Sequence, residues 1–318
     1  MTPNVGAVVV SHQSVADLPS CLTALADAAG IGQVVVVDNA STDGSRAATT
    51  PFRSAGVELL ALDQNTGFAG ACNRGFAAVS DRCDVVAVLN PDVTVTADCL
   101  VRAAETLAAD PSLAGVAPRL MRPDGSTVDS VGQVLRPATL EVRDRGYGRP
   151  VTPDLLRRRP VLAACGALAV FRRDALEAVA GPGGPWAEHF FCFWEDLELG
   201  WRLTNAGYRV EALPEAVAVH GRGAGAVAGR GPLRWRRPVE LEACVISNRW
   251  MTLLRHLYGL DLAVRLPLLL SWDLALVVLG AARRPALLRA IARRWPLVRG
   301  EWRSRGGRSR RRLAELPW

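Results

Sequence analysis

The 318-residue sequence lacks any pair of cysteines spaced as CxxC. Its seven cysteines (21, 72, 83, 99, 165, 192 and 244) are odd in number and scattered, which argues against a disulfide framework or a cysteine zinc site and for a reducing compartment. No GxGxxG fingerprint follows an apolar strand, so a Rossmann dinucleotide site is set aside. The opening MTPNVGAVVVSHQS has neither a basic n-region nor a cleavage signature, so no signal peptide is expected. No run of twenty apolar residues occurs. The nearest, LPLLLSWDLALVVLGAA at 266–282, is 17 residues long and carries Asp273, which is short for a spanning helix. There is no internal repeat.

What is present is an ordinary apolar share, 49%, enough for a sizeable core, and a net charge of +7 that is unevenly spread. Residues 283–312 hold twelve arginines and one acid, Glu301, while the rest is balanced or slightly acidic. Such a tail suits an anionic partner. With its apolar stretches and Trp272, Trp295, Trp302 and Trp318 it reads as interfacial: apolar faces enter the headgroup boundary while arginines meet anionic lipid. The expected location is the cytoplasmic face of a membrane, held peripherally. The alternative is a helical subdomain docked on the core or on a second copy, as in a homodimer. No aromatic-interleaved β platform or recognition helix supports nucleic-acid binding.

The first half alternates short β-branched runs (5–10, 34–37, 57–62 and 85–89) with helix-like stretches (17–29, 45–50, 68–80 and 97–109). That pattern predicts an α/β fold with a mostly parallel sheet flanked by helices. Ligands of such sheets bind beyond the carboxyl ends of the strands. Those ends are Ser11-His12, Asp38-Asn39, Asp63-Gln64-Asn65 and Asn90-Pro91-Asp92, all polar. Residues 121–160 are rich in Pro, Gly and Arg and read as a long loop or flap beside the site. Strands are expected at 161–171, 209–213 and 216–219, helices at 174–180 and 195–206, a flexible glycine-rich stretch at 221–231, and helix from about 239 onward. The boundaries expected are 1–235 for the α/β domain and 236–318 for the basic amphipathic helical region.

Four segments carry chemistry. VVVVDNASTDGS, 34–45, sets Asp38 where a carboxylate can meet a nucleobase or ribose, or where Asp38-Asn39 are turn formers and Asp43 caps a helix. NTGFAGACNRG, 65–75, opens a helix with small residues: a phosphate approach, or close helix–sheet packing. VAVLNPDV, 86–93, leaves Asp92 past a buried strand: a ligand for a hard divalent cation, or a Pro-Asp turn. In FFCFWEDLELGWRL, 190–203, Glu198 and Arg202 are expected to pair on the exposed side of a helix. Glu195 and Asp196 are left without a local partner beside aromatics that would raise a carboxylate pKa, or else cap the helix. His220 ends LPEAVAVH, where a lone histidine is more often structural.

In this order, with the CGALAVFRR segment added, these motifs resemble the family 2 glycosyltransferases with the GT-A fold, closest to the bacterial rhamnosyltransferase-like branch that extends lipid-linked glycans. The resemblance covers about residues 5–220. It implies that Ser11, Asp38, Asn65, Gly67 and Asn73 line the donor pocket and that Asn90 and Asp92 stand at the DxD motif. Asp92 would be a ligand for Mg²⁺ or Mn²⁺ and Asn90 replaces the first acid. It implies His220 as a second metal ligand, Asp196 as catalytic base, Glu195 as its positioning neighbour, and Gly166, Ala167, Phe193 and Trp194 on the acceptor side.

The implied reaction is inverting transfer from a nucleotide-diphosphate sugar to a hydroxyl of a polyprenyl-linked or polysaccharide acceptor, with dTDP-L-rhamnose the donor favoured by the branch. UDP-sugar transfer to a soluble or protein acceptor and a non-catalytic nucleotide- or glycan-binding scaffold are the alternatives.

Overall fold

The computed structural model describes residues 4–221, 237–257, 259–304 and 313–317. The glycine-rich stretch from 222 on, the arginines at 305–312 and Trp318 lie outside them. The strands are β1 (Val5–Ser11), β2 (Ile31–Asp38), β3 (Val57–Ala61), β4 (Val85–Leu89), β5 (Val93–Val95), β6 (Leu113–Met121), β7 (Val128–Ser130), β8 (Gln133–Leu135), β9 (Val142–Asp144), β10 (Arg159–Val161), β11 (Leu168–Arg172) and β12 (Arg209–His220). The helices are α1 (Leu18–Ala26), α2 (Ser45–Ala48), α3 (Gly67–Ala78), α4 (Cys99–Ala109), α5 (Arg173–Ala178), α6 (Glu195–Asn205), α7 (Val239–His256), α8 (Gly259–Arg283) and α9 (Ala286–Arg303).

One sheet runs in the order β10-β12-β6-β11-β4-β1-β2-β3, with β5 on β12 and β7 on β6. The strands β3, β2, β1 and β4 are mutually parallel, as are β6 and β12, and β11 lies antiparallel between β4 and β6. Every residue of β1 is buried, as a strand covered on both faces requires. One face packs on α1 and α4 through Leu18, Leu22, Leu100 and Leu107. Each such fully buried leucine contributes about 1.5–3 kcal/mol. The other face packs on α3 and α6 through Ala69, Cys72, Leu199 and Leu203. At Gly75 a Cβ would sit 2.2 Å from a Val8 methyl, so the approach of α3 to β1 demands glycine there.

The segment expected as an irregular flap is largely structured: β7 joins the main sheet and β8 pairs with β9. Its short strands are too brief to show periodicity. The expected strand at 161–171 is two strands broken at 162–167. The two at 209–219 are one, β12, with a register shift between Leu213 and Val217.

The helices α7 and α9 dock on the α/β domain of the same chain. Met251, Leu253 and Val298 share an apolar cluster with Leu162, Phe190, Leu197 and Trp201. The expected short apolar run proves part of a 25-residue helix, α8, with a hydropathy of 2.0 over its most apolar window, long and apolar enough to cross a membrane. It extends because Asp261, Arg265 and Pro267 do not stop it. Only Leu269 and Gly280 of α8 are buried. Leu260, Val264, Leu270, Leu274, Val278 and Leu279 are exposed, as are Trp295 and Trp302 of α9.

Candidate active site

The parallel register sets Ser11 beside Asp38 at the carboxyl ends of β1 and β2. Both are fully buried, and the Ser11 hydroxyl and Asp38 Oδ1 have no hydrogen-bond partner. A buried polar atom left unpaired costs about 1–3 kcal/mol. The second Asp38 oxygen, Oδ2, accepts from Arg46 Nε at 2.6 Å and from the Ser41 amide at 3.2 Å, which fixes the carboxylate.

The next loop departs from expectation. Asn65 is exposed, and its Oδ1 accepts from Asn39 and from the Gly67 amide. The Ala69 amide donates to the Phe191 carbonyl at 3.2 Å. Gly67 has φ +73°, and a Cβ on it would lie 2.3 Å from that carbonyl oxygen. The backbone that approaches the glycine in this structure is the chain's own, at Phe191. The Asn73 carboxamide donates to the Trp186 carbonyl and accepts from the Trp186 amide. Asn39, read as a turn former, is a buried clamp whose side chain also accepts from the Thr66 amide at 2.8 Å.

Past β4, the Asn90 amide donates to the Ala167 carbonyl at 3.0 Å. Antiparallel pairing of β12 with β5 carries His220 to Val93, and the Gly221 amide donates to the Asp92 carbonyl at 2.6 Å. His220 Nε2 thereby lies 3.4 Å from Asp92 Oδ2, while His220 Nδ1 meets Asp129 Oδ2 at 2.8 Å. Burial pushes the imidazole pKa down, but hydrogen bonds with Asp129 and Asp92 outweigh it and hold it at about 9. A carboxylate behind a histidine whose other nitrogen faces a second carboxylate is the usual support of a metal-binding imidazole. Among the described residues no three His, Cys, Asp or Glu side chains form a metal cage. Asp92 and His220 fit a cation whose remaining ligands come from a diphosphate and water.

Asp196 stands in the first turn of α6. Its Oδ2 accepts from the Gly166 amide at 2.9 Å and from Gln133 Nε2 at 2.8 Å, and its Oδ1 accepts from the Leu197 amide at 2.7 Å. Burial raises its pKa against these hydrogen bonds. Glu195 is buried with Oε2 unpartnered; burial and then the Asp196 charge raise its pKa well above the usual carboxylate range. Glu198 does pair with Arg202, at 2.9 Å, but it is fully buried, because α7 covers it with Arg255 and His256. Burial alone would raise its pKa; Arg202, Arg255 and His256 together hold it well below normal.

Ahead of the acids, Phe191, Phe193 and Trp194 all have positive φ (66°, 67° and 73°). Backbone of this kind costs on the order of 1–3 kcal/mol per residue and persists only when its surroundings enforce it. Trp194 faces the apolar cluster under α7, whereas Phe193 is half-buried with the Arg237 guanidinium 4.4 Å over its ring. Gly166 and Ala167 sit between the halves, one bonded to Asp196 and the other to Asn90. A short stretch bridges them again: Asp129 holds His220 and Gln133 holds Asp196. Neither residue carries a motif in sequence; the carboxylate and carboxamide of this stretch were the only signal.

A mostly parallel sheet with one antiparallel strand let into its middle, polar strand ends on one edge and an acid pair opening a later helix define the GT-A class of α/β protein. The profile described as Glycosyl transferase family 2 matches residues 7–180, and the chain belongs to that family. It is 30% identical over 209 residues to the N-acetylglucosaminyl-diphospho-decaprenol L-rhamnosyltransferase of Mycobacterium tuberculosis, across 59% of this chain and 66% of that one, so it spans just under two thirds of that relative's length. Its fold is similar to that of the mannosyltransferase PcManGT from Pyrobaculum calidifontis, solved with GDP-Man and Mn²⁺ (TM-score 0.54, 20% identity, 95% of this chain and 85% of that one). It is also similar to S. aureus TarS 1-349 in complex with UDP-GlcNAc (TM-score 0.55, 15% identity, 84% and 70%).

Proposed function

We propose that the protein is an inverting glycosyltransferase that moves a sugar from a nucleotide-diphosphate donor to a hydroxyl of a lipid-linked glycan. The observation that carries this reading is the Asp129–Gln133 stretch, which braces His220 beside Asp92 on one side and Asp196 on the other. Two functional ends of one cleft need such a common support; two unrelated acids do not.

Ser11 and Asp38 bind the nucleoside through their unpartnered oxygens. Asp92 and His220 would hold a Mg²⁺ or Mn²⁺ ion, which when bound offsets the charge developing on the leaving diphosphate. Asp196 takes the proton of the acceptor hydroxyl, and its neutral partners Gly166 and Gln133 orient it without neutralising it. Its raised pKa makes it a better base than an ordinary carboxylate. A single base and a single displacement give inversion. Glu195, buried beside Asp196 with its pKa raised by burial, helps position the base or the acceptor. The exposed apolar face of α8, with Trp295 and Trp302 of α9 and the arginines around them, lies against an anionic membrane and brings the active site to its lipid-linked acceptor. The relative's printed activity favours dTDP-L-rhamnose and a prenyl-diphosphate N-acetylglucosamine acceptor.

A melting-temperature panel of dTDP-, UDP- and GDP-sugars with and without Mn²⁺ tests the reading. One donor should raise Tm strongly and only with the metal, since stabilisation follows occupancy over Kd. Equal, metal-independent Tm values across the panel would sink it.

A further inference from the structure

The strained stretch that presents Asp196 is not held by the α/β domain alone. The side-chain Nδ2 of Asn248, fully buried on α7, lies within hydrogen-bond distance of three carbonyls of that stretch, Phe190 (2.8 Å), Cys192 (2.9 Å) and Phe193 (2.7 Å), which share its two N–H groups. These carbonyls flank the positive-φ residues Phe191 and Phe193, and the stretch ends at the first turn of α6. The orientation of the Asn248 carboxamide is itself fixed. Arg294 of α9 donates from Nη2 to Asn248 Oδ1 at 2.7 Å and to the His189 carbonyl at 3.0 Å, and from Nε to the Ser247 hydroxyl at 2.6 Å. Oδ1 accepts from a cation, so Nδ2 must face the carbonyls. The next residue along α9, Trp295, is half exposed on the face given above to the membrane.

We propose that Asn248 and Arg294 are positioning residues for Asp196, so that the C-terminal helices complete the active site rather than merely anchor it. The argument rests on the transferase reading above. Without the Asn248 amide, the Cys192 and Phe193 carbonyls lose this donor while the Phe190 carbonyl keeps the Cys192 amide and a longer contact to Arg294, and the stretch relaxes out of its left-handed backbone. The carboxylate of Asp196 then turns with the first residues of α6, while the corner formed by Ser11 and Asp38 is untouched. A strained presentation loop has to be locked from outside itself, and the lock here comes from α7 and α9.

The test uses the full chain, dTDP-L-rhamnose and a short-chain prenyl-diphosphate N-acetylglucosamine, with Asn248→Asp, Arg294→Met, Arg294→Lys and Asp196→Asn compared with the wild type. Asn248→Asp and Arg294→Met should lower kcat at least 30-fold with the donor KM within threefold, and Arg294→Lys should recover a substantial part of the loss. Should Asn248→Asp fail to fold, Arg294→Met, which keeps Asn248 in place, carries the test alone. A folded Arg294→Met with wild-type kcat, beside an inactive Asp196→Asn, overturns the positioning role and leaves the transferase reading intact. So does a kcat that falls only in proportion to the folded fraction. A wild type inert with this pair and with every sugar of the melting panel overturns both.

Discussion

The two regions assigned above to donor and acceptor are built in different ways. The donor half is made at the ends of adjacent strands, where Ser11, Asp38 and Asn90 stand where the sheet register puts them. Its partners are near neighbours: Asp38 is held by Ser41 and Arg46. The acceptor half is stitched together from far along the chain. Asp196 meets Gln133 and Gly166, and the stretch before it meets Gly67, Asn248 and Arg294. The same contrast recurs on α6 itself. Asp196 has only neutral partners and a raised pKa, while Glu198, on the same helix, is locked among cations and lowered. On the proposed mechanism the carboxylate assigned to proton transfer is kept basic, whereas the one under α7 is kept charged.

Four experiments break or sharpen that contrast. The largest effect is expected at Asp196→Asn: turnover should fall by about 10²–10⁴-fold, the range for a lost general base, while nucleoside-diphosphate affinity measured by calorimetry stays put. In the wild type the rate should rise with pH through the raised pKa of Asp196, an acidic limb above the ordinary carboxylate range. Next, Glu198→Gln removes the carboxylate paired with Arg202 and leaves Arg255 with Glu301, and should destabilise the fold by about 3–5 kcal/mol in urea titrations. A depressed carboxylate contributes stability above its ordinary pKa that is lost as pH falls through the depressed one, so this cost should shrink in acid.

Asp129→Asn should weaken Mn²⁺ binding in the presence of UDP by about 10–100-fold, as loss of a support behind a metal-binding histidine does. An unchanged Mn²⁺ titration would detach His220 from the metal. The smallest effect is at Glu195→Gln. A raised carboxylate binds more protons folded than unfolded between its ordinary and raised pKa, so stability falls as pH rises through that window. The variant should therefore melt higher than the wild type at pH 8, by about 2 °C per kcal/mol in a chain of this size, with the gain vanishing near pH 4. A lower Tm at pH 8 would mean that Glu195 has a charged role.

The polar strand ends were legible in the sequence because they are set by local pattern: a β-branched run followed by Asp or Asn reads directly as a polar edge. Asp92 and His220 were legible as residues, but only the β5–β12 pairing shows why they meet. The acceptor half was not legible beyond its acid pair. Gln133 and Asp129 lie on strands of three residues, too short for alternation to show. The small residues of NTGFAG were read as a phosphate approach or close helix–sheet packing, and composition could not show that Phe191 lies against Gly67. Asn248 and Arg294 lie in helices whose pattern speaks of packing and charge, not of a distant loop. Glu198 and Arg202 show the same limit: the i, i+4 spacing found the pair, and the burial came from α7.

The most direct test of a shared cleft is anomalous diffraction at the manganese edge from crystals of the chain grown with Mn²⁺ and UDP. The expected map has one strong peak between Asp92 and His220 Nε2, with the diphosphate leading from it toward Ser11 and Asp38 and with Asp196 facing the open end of the diphosphate. A peak bound elsewhere, or a nucleotide seated with Asp196 on the far side of the sheet from it, would contradict the account.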